Sequence, residues 1–437
     1  MINMNFSKSL ETVSEFFQTN DDNILINKSL VVRDIRGKFR ILINNNKLTK
    51  KVSEKIHALE ISLGKYASTP FVQLSKDLFD SVSVFNDVAI VNFTYPEHEK
   101  SFKLLDRQIT GSGWSSTNFS MTDSLKKIPK LSFFGLKGGV GRSTALSILS
   151  YDLAKRGKKV ILIDLDLESP GLSSLLLPQD RINDVGIIDW IVEYNFIQDK
   201  RMLLDGILCP SPLSDNTQGE ILIAPAMGTD NHNYMDKLSR VYNDSEGERF
   251  EQKLLSFFEA VVEKENPDLI LVDSRSGLHD IAALSIVGIS DYTLLFGIDS
   301  RQSWNGYETL FSFWKGRNEV VRNVRERVKI VQALLPEMDQ INRADLFKQK
   351  AYDLFSKMLY DQVIDNEIDD NNISEFSFLE NDDFAPHYPI KIKWDNRFQE
   401  FNPLLIEKGI ITKEYLNMCF GELIQWVDTV VVQKEIP

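Results

Sequence analysis

The segment Leu131–Thr144, LSFFGLKGGVGRST, restricts what this chain can fold into more than any other. An apolar strand, a glycine-rich loop and a helix opening with Ser-Thr follow one another without a break. Such a loop turns successive backbone N–H groups inward, and the helix N-terminus adds partial positive charge, so the two form an anion cradle. Gly138, Gly139 and Gly141 are required wherever a Cβ would block either the backbone angles or the close approach of a phosphate. Val140 lies among them, and Ser143 and Thr144 bring hydroxyls to the start of the helix. The general pattern GxxxxGK[ST] places Lys before the hydroxyl residue. Here that position is Arg142, and Lys137, ahead of the glycine pair, supplies a second cation.

From Leu131 onward, buried-strand patterns alternate with helix-length segments: LSFFGL, a helix over 143–156, KVILIDLDL, EILIAPAMG, LILVDS, YTLLFGID and VKIVQALL. Continuous apolar strands separated by helices predict an α/β fold, a mostly parallel sheet with helices on both faces. Residues 1–125 have a different texture. Short strand-like runs (LVVRDI, KFRILINN, DVAIVNFTY) surround an amphipathic helical stretch near 50–63, which predicts a smaller α+β domain ahead of a main domain over 126–437. Gln108–Asp123, rich in Gly, Ser and Thr, reads as a linker or long loop. The acidic segment Asp365–Asp383 reads as a solvated excursion.

Composition removes several classes of function. Across 437 residues, 43% apolar and 26% charged content excludes a wholly disordered chain. Fifty Lys+Arg against 63 Asp+Glu leave a net charge of −13, which disfavours a sequence-blind binder of DNA, because phosphate neutralisation supplies most of such affinity. A local basic patch stays open. The two cysteines, Cys209 and Cys419, form no CxxC pair, and the five histidines fall at no metal-ligand spacing, so zinc-ribbon and iron–sulfur sites lack residues. The start of the chain shows no basic-then-apolar leader, and no run approaches the ~20 apolar residues of a membrane span. A reduced, cytoplasmic protein without membrane contact is expected.

The loop resembles the deviant Walker A motif, KGGxGK[ST], of the MinD/ParA family of P-loop ATPases. The resemblance continues in order over roughly residues 131–310. Ile163-Asp164-Leu165-Asp166 looks like the family's DxD segment, and LILVDSRSG places Asp273 where the family has its Walker B carboxylate. EILIAPAMG and GIDSRQSWNGYETL are similar to its later strand-to-helix passages. The resemblance implies a P-loop NTPase sheet, with ATP and Mg²⁺ as ligands. Asp166 would position the attacking water, and Asp164 would support the magnesium shell. Asp273 would hold Mg²⁺ through water, Ser143 would ligate it directly, and Thr144 would bond a phosphate nearer the nucleoside. Lys137 would reach across a nucleotide-dependent homodimer to the other subunit's phosphates. For Asp164 and Asp166 the plainer alternative is a pair of carboxylates ending a buried strand.

Departures from the family pattern narrow the reading. Arg142 keeps a positive charge but replaces a compact ammonium with a planar fork, which alters how phosphates are placed. Two outcomes follow: slow hydrolysis, or binding without turnover. The retained carboxylates and Lys137 favour the first. The family's iron–sulfur carriers need a CxxC pair, which is missing. The tail GELIQWVDTVVVQKEIP is too acidic for a membrane-binding helix and is expected to pack on the sheet. The expected function is therefore an ATP-dependent molecular switch that signals to a protein partner through the N-terminal module. The alternative is a non-hydrolysing nucleotide sensor or scaffold in a multiprotein bacterial system, as in defence or partition.

Overall fold

The structure, a computed structural model, describes residues 4–432 except 88, 97, 109–110, 116–119, 197–198, 230–231, 243–248, 362–375, 400–401 and 405–411. The chain divides into two compact units. One comprises residues 1–118 together with 309–323, and the other comprises 119–308 with 324–437.

The larger unit is built on eight strands: β6 (Lys130–Gly135), β7 (Lys159–Asp164), β8 (Cys209–Pro210), β9 (Glu220–Ala224), β10 (Leu269–Asp273), β11 (Tyr292–Gly297), β12 (Val328–Leu335) and β13 (Ile390–Lys393). Their order across the sheet is β13-β12-β11-β6-β10-β7-β9-β8. Every neighbouring pair from β13 to β9 is parallel, and the two-residue β8 closes the edge antiparallel to β9. Because side chains alternate along a strand, each strand feeds two cores. Phe133, Leu162, Leu271 and Phe296 face the helices Arg142–Lys155 and Lys413–Val427. Ile161, Ile163, Ile270 and Val272 face the helix Phe250–Glu265 and its neighbours. Both faces are covered, which explains why these strands read as unbroken apolar runs. The acidic tail packs as the sequence predicts, with Leu423, Val427 and Val431 buried in the first core.

The smaller unit carries its own sheet, ordered β3-β2-β1-β5-β4, from β1 (Ser29–Arg33), β2 (Phe39–Ile43), β3 (Ala67–Leu74), β4 (Ile90–Phe93) and β5 (Phe102–Asp106). It is mixed: β1 runs antiparallel to β2 and parallel to β5. Val13 and Phe17 of the helix Phe6–Gln18, and Val52 and Ile56 of the helix Lys50–Leu63, fill one face against Val31, Ile41 and Leu104. Asn5 and Thr49 cap these two helices by accepting backbone N–H bonds. Sequence periodicity finds the second helix but not the first, nor β3 and β5.

Two expectations about loops change. Within Gln108–Asp123, Trp114 is buried and its ring lies 6.1 Å from that of Trp314, so the segment contributes to a core rather than serving only as a linker. Residues 109–110 and 116–119 of that segment lie outside the described residues. Of the acidic excursion, 365–375 likewise lie outside them. Phe376 and Phe378, in contrast, pack on Tyr360 with ring centroids 5.6 and 5.3 Å away. The aromatic residues override the charge that dominates the composition there.

Leu423 tests the packing of the tail. Leu423→Ala should lower unfolding free energy by about 2–5 kcal/mol, the usual cost of a fully buried leucine, as read by urea denaturation. A change near zero would mean that this helix does not belong to the core.

Candidate functional site

The phosphate loop leaves β6 at Gly135 and enters the helix Arg142–Lys155 one residue earlier than expected. Gly139 (φ 73°) and Gly141 (φ 80°) occupy the left-handed region, so the loop's own path demands glycine at both. Gly138 has open space around it and no such angle, which leaves approach of a ligand as its reason. Lys137 is exposed, Val140 is buried beneath the loop, and Ser143 and Thr144 are half-buried. Two neighbours clamp the loop. A Cβ on Gly135 would meet the Phe296 carbonyl and Arg142 Cδ at 3.3 Å, and one on Gly306 would meet Leu136 at 2.7 Å. The helix Arg301–Lys315 therefore approaches the loop through Gly306, and Ser300 caps its first turn by accepting from Ser303 N–H at 3.2 Å.

Adjacent parallel strands bring the carboxylates together. Asp164 and Asp273 are register partners at the ends of β7 and β10, and both are buried. Ser143 Oγ donates to Asp273 Oδ2 at 2.6 Å, while Asp273 Oδ1 is buried with no hydrogen-bond partner. Asp164 accepts the backbone N–H groups of Asp166 and Leu172, each at 3.1 Å, so both its oxygens hold the loop after β7 in shape. Asp166 lies at the rim, with its carboxylate 4.0 Å from the Arg142 guanidinium. That guanidinium is itself buried and donates to the Ser274 carbonyl. Arg142, Ser143, Asp164, Asp166 and Asp273 thus come together at the strand ends.

The electrostatics follow from burial. Desolvation, then the charge of Asp273, pushes the Asp164 carboxyl well above the usual carboxylate range. Desolvation also raises Asp273, against the opposing pull of the Arg142 charge and the Ser143 hydroxyl. Asp166 is raised by burial, and both Arg142 and Arg275 counter it.

These residues fit a magnesium ion held mainly by a ligand's phosphates. Among the described residues, no cluster of three or more His, Cys, Asp or Glu could hold a metal alone. A hydroxyl, a carboxylate with an orphaned oxygen and an excess of buried negative charge are nonetheless in place, and Mg²⁺ commonly takes only one or two protein oxygens beside phosphate and water.

Sequence reasoning misses a second group beside the first. Arg275, two residues beyond Asp273, pairs with Glu168 of the loop after β7. His279 Nε2 lies 3.5 Å from the same Glu168 oxygen, and Tyr242 donates to that oxygen at 3.4 Å. The available signal was a charged residue, Arg275, inside the Ser-Gly turn SRSG. A cavity of about 510 Å³ lies elsewhere, at the opposite strand ends, near Lys158, Asp268 and Asp291. Near it, Lys158 pairs with Asp268 at 3.1 Å and Asp291 with the buried Lys130 at 2.8 Å.

The buried pair gives a sign to pH dependence. Carboxyl groups raised in the folded state contribute stability at low pH, and that contribution is lost as pH climbs through their folded values. Asp273→Asn removes one charge and keeps an acceptor for Ser143. Its thermal midpoint relative to wild type should therefore rise as pH is taken from about 4 to about 8, above the ordinary carboxylate value. A difference that is flat with pH would show that the pair is not strained by its charge.

The family model for the CobQ/CobB/MinD/ParA nucleotide-binding domain matches residues 131–351. The septum site-determining protein MinD of Buchnera aphidicola is 27% identical over 152 residues, 34% of this chain and 46% of that protein. The match thus spans about half the length of the curated relative. A ParA family ATPase from Chlorobium tepidum aligns over 68% of this chain and 98% of its own, at 14% identity and TM-score 0.43. The pNOB8 ParA bound to nonspecific DNA aligns over 69% and 99%, at 18% identity and TM-score 0.41. With its phosphate loop and its strand-end carboxylates inside the matched half of the chain, this protein belongs to the CobQ/CobB/MinD/ParA nucleotide-binding family.

Proposed function

We propose that the chain is an ATP- and Mg²⁺-binding molecular switch that hydrolyses slowly, forms a nucleotide-dependent homodimer and signals to a protein partner. One observation carries this reading: Ser143, at the mouth of a loop with two left-handed glycines, is bonded to Asp273, whose other oxygen is buried and unpartnered. A bound magnesium ion supplies the positive charge that this carboxylate and a polyphosphate both lack. The backbone of Gly138–Ser143 cradles phosphate oxygens, and Thr144 offers a hydroxyl one residue further on. Ser143 would ligate the metal through its hydroxyl oxygen, and Asp273 would hold it through water. Asp164 keeps the loop after β7 in place, so that Asp166 at the rim can orient water. Lys137, exposed at the loop's tip, is free to serve a neighbouring subunit.

The partner is proposed to be a protein that engages residues 1–125, since a net charge of −13 weighs against DNA as the primary target. No helix among the described residues is long and apolar enough to cross a membrane. We further propose a cytoplasmic site of action. Binding without turnover, as a sensor or scaffold, is favoured by one specific feature. Arg142 is buried and already engaged with Ser274 O and Asp166, so its charge is partly spent before any phosphate arrives.

Saturating ATP with Mg²⁺ should stabilise the protein by about 2.7 kcal/mol at 100 times Kd, and Ser143→Ala should remove the magnesium-dependent part. An absence of any thermal shift with millimolar nucleoside triphosphate would remove the basis of the proposal. Phosphate release then separates the two readings: Arg142→Lys should raise turnover if the guanidinium limits it, and an unchanged rate with binding intact would acquit Arg142.

Lys137→Ala addresses assembly. It should reduce ATP-dependent dimer formation, followed by light scattering, more than it reduces nucleotide affinity, because two sandwiched polyphosphates repel unless cations lie between them. Equal loss in both assays would make Lys137 an ordinary loop cation.

A further inference from the structure

The two loops that follow the carboxylate-bearing strands are joined by side chains that the reading above leaves without a task. Arg275 of the β10 loop pairs with Glu168 of the β7 loop. The arginine's backbone is fixed on either side, since Ser274 N–H donates to Phe133 O at 3.1 Å and Gly277 N–H donates to Gly135 O at 3.0 Å. Both acceptors belong to β6, the strand that delivers the phosphate loop. The Cα of Arg275 is thereby held beside that loop while its side chain stays only partly buried, 26% exposed. Glu168 receives Arg275, His279 and Tyr242 on one oxygen, and its other oxygen is buried without a hydrogen-bond partner. The carboxylate is poorly satisfied by everything except the guanidinium.

Arg142 occupies the position where this kind of loop ordinarily offers a free cation, yet its own guanidinium is buried against Ser274 O and Asp166. A terminal phosphate carrying two negative charges therefore needs charge from elsewhere. A guanidinium fork suits phosphate oxygens at least as well as a single carboxylate oxygen.

We propose that Glu168 and Arg275 form a latch, in which Arg275 rests on Glu168 in the nucleotide-free protein and moves to the terminal phosphate of a nucleoside triphosphate, making Arg275 the residue that distinguishes tri- from diphosphate. This rests on the assignment of the loop as a nucleotide site and adds to it the means by which the bound state is read. Exchange of Arg275 from carboxylate to phosphate frees the loop after β7, so nucleotide state becomes a change in the surface formed by residues 168–171.

The test is calorimetric titration of the full chain with a magnesium complex of a non-hydrolysable ATP analogue and with Mg-ADP. Wild type, Arg275→Ala, Glu168→Gln and the double variant are compared, with nucleotide-free thermal midpoints measured alongside. Arg275→Ala should weaken the triphosphate by about tenfold, the scale of a charge-assisted hydrogen bond, and change the diphosphate less than about twofold. Glu168→Gln should tighten the triphosphate only while Arg275 is present, so the double variant should match Arg275→Ala. In nucleotide-free protein the two substitutions should be non-additive in thermal midpoint, as expected for a direct pair. Arg275→Lys should restore part of the triphosphate preference, which a purely structural arginine would not do. Parallel loss of both nucleotides, or an effect of Glu168→Gln that persists without Arg275, overturns the latch and leaves the nucleotide site standing. Failure of wild type to bind either nucleotide overturns the site itself.

Discussion

Two carboxylates buried side by side govern the arrangement at the strand ends. Asp164 and Asp273 emerge from neighbouring parallel strands in register, at depths where an isolated carboxylate would be costly. The surroundings answer that cost in three ways. Backbone N–H groups of the β7 loop cap Asp164, the Ser143 hydroxyl caps one oxygen of Asp273, and the Arg142 guanidinium lies close enough to act on Asp273 and Asp166 together. One oxygen of Asp273 is left over. The phosphate loop, the loop after β7 and the loop after β10 are thus tied to one carboxylate that keeps an unpartnered oxygen.

Much of this was legible in the sequence because it depends on local spacing. A strand, a glycine loop and a hydroxyl-opened helix must be contiguous, so LSFFGLKGGVGRST declares itself, as do the aspartates ending KVILIDLDL and LILVDSRSG. The apolar strands were equally visible, since a sheet covered on both faces leaves no alternation to misread. Other features escaped because they depend on distant partners. Arg275 and Glu168 are separated in the chain by the strands and helices that bring them together, and the turn SRSG that carries Arg275 does not reveal its distant partner. In the smaller unit, β3 and β5 mix polar with apolar residues, and the helix Phe6–Gln18 gains its meaning from Phe17 stacking on Phe102, 4.8 Å away. Trp114 was concealed in a run of Gly, Ser and Thr that composition alone assigns to a linker.

The arginine in the phosphate loop is better understood as a member of a charge network than as a substituted lysine. Its stem packs against Gly135, and its planar fork reaches both the Ser274 carbonyl and the Asp166 side. An ammonium could neutralise the same carboxylates but could not span the carbonyl and the rim aspartate with fixed donors. Arg142 therefore offsets part of the buried negative charge in the nucleotide-free site. The loop after β10 is held down through Ser274, at the expense of cation density available to a ligand.

The two ends of the sheet differ in how their charges are satisfied. At the strand starts, beside a cavity of about 510 Å³, Lys158 pairs with Asp268, and the buried Lys130 is satisfied by Asp291 and by the carbonyls of Leu125 and Ile128. At the strand ends, the charges do not cancel: Asp273 keeps an orphaned oxygen, Glu168 keeps another, and Lys137 projects from the loop exposed. Open parallel sheets bind their ligands outside the carboxyl ends of the strands, where loops rather than strands set the chemistry. The buried oxygens of Asp273 and Glu168 that lack hydrogen-bond partners are what such a ligand would meet there.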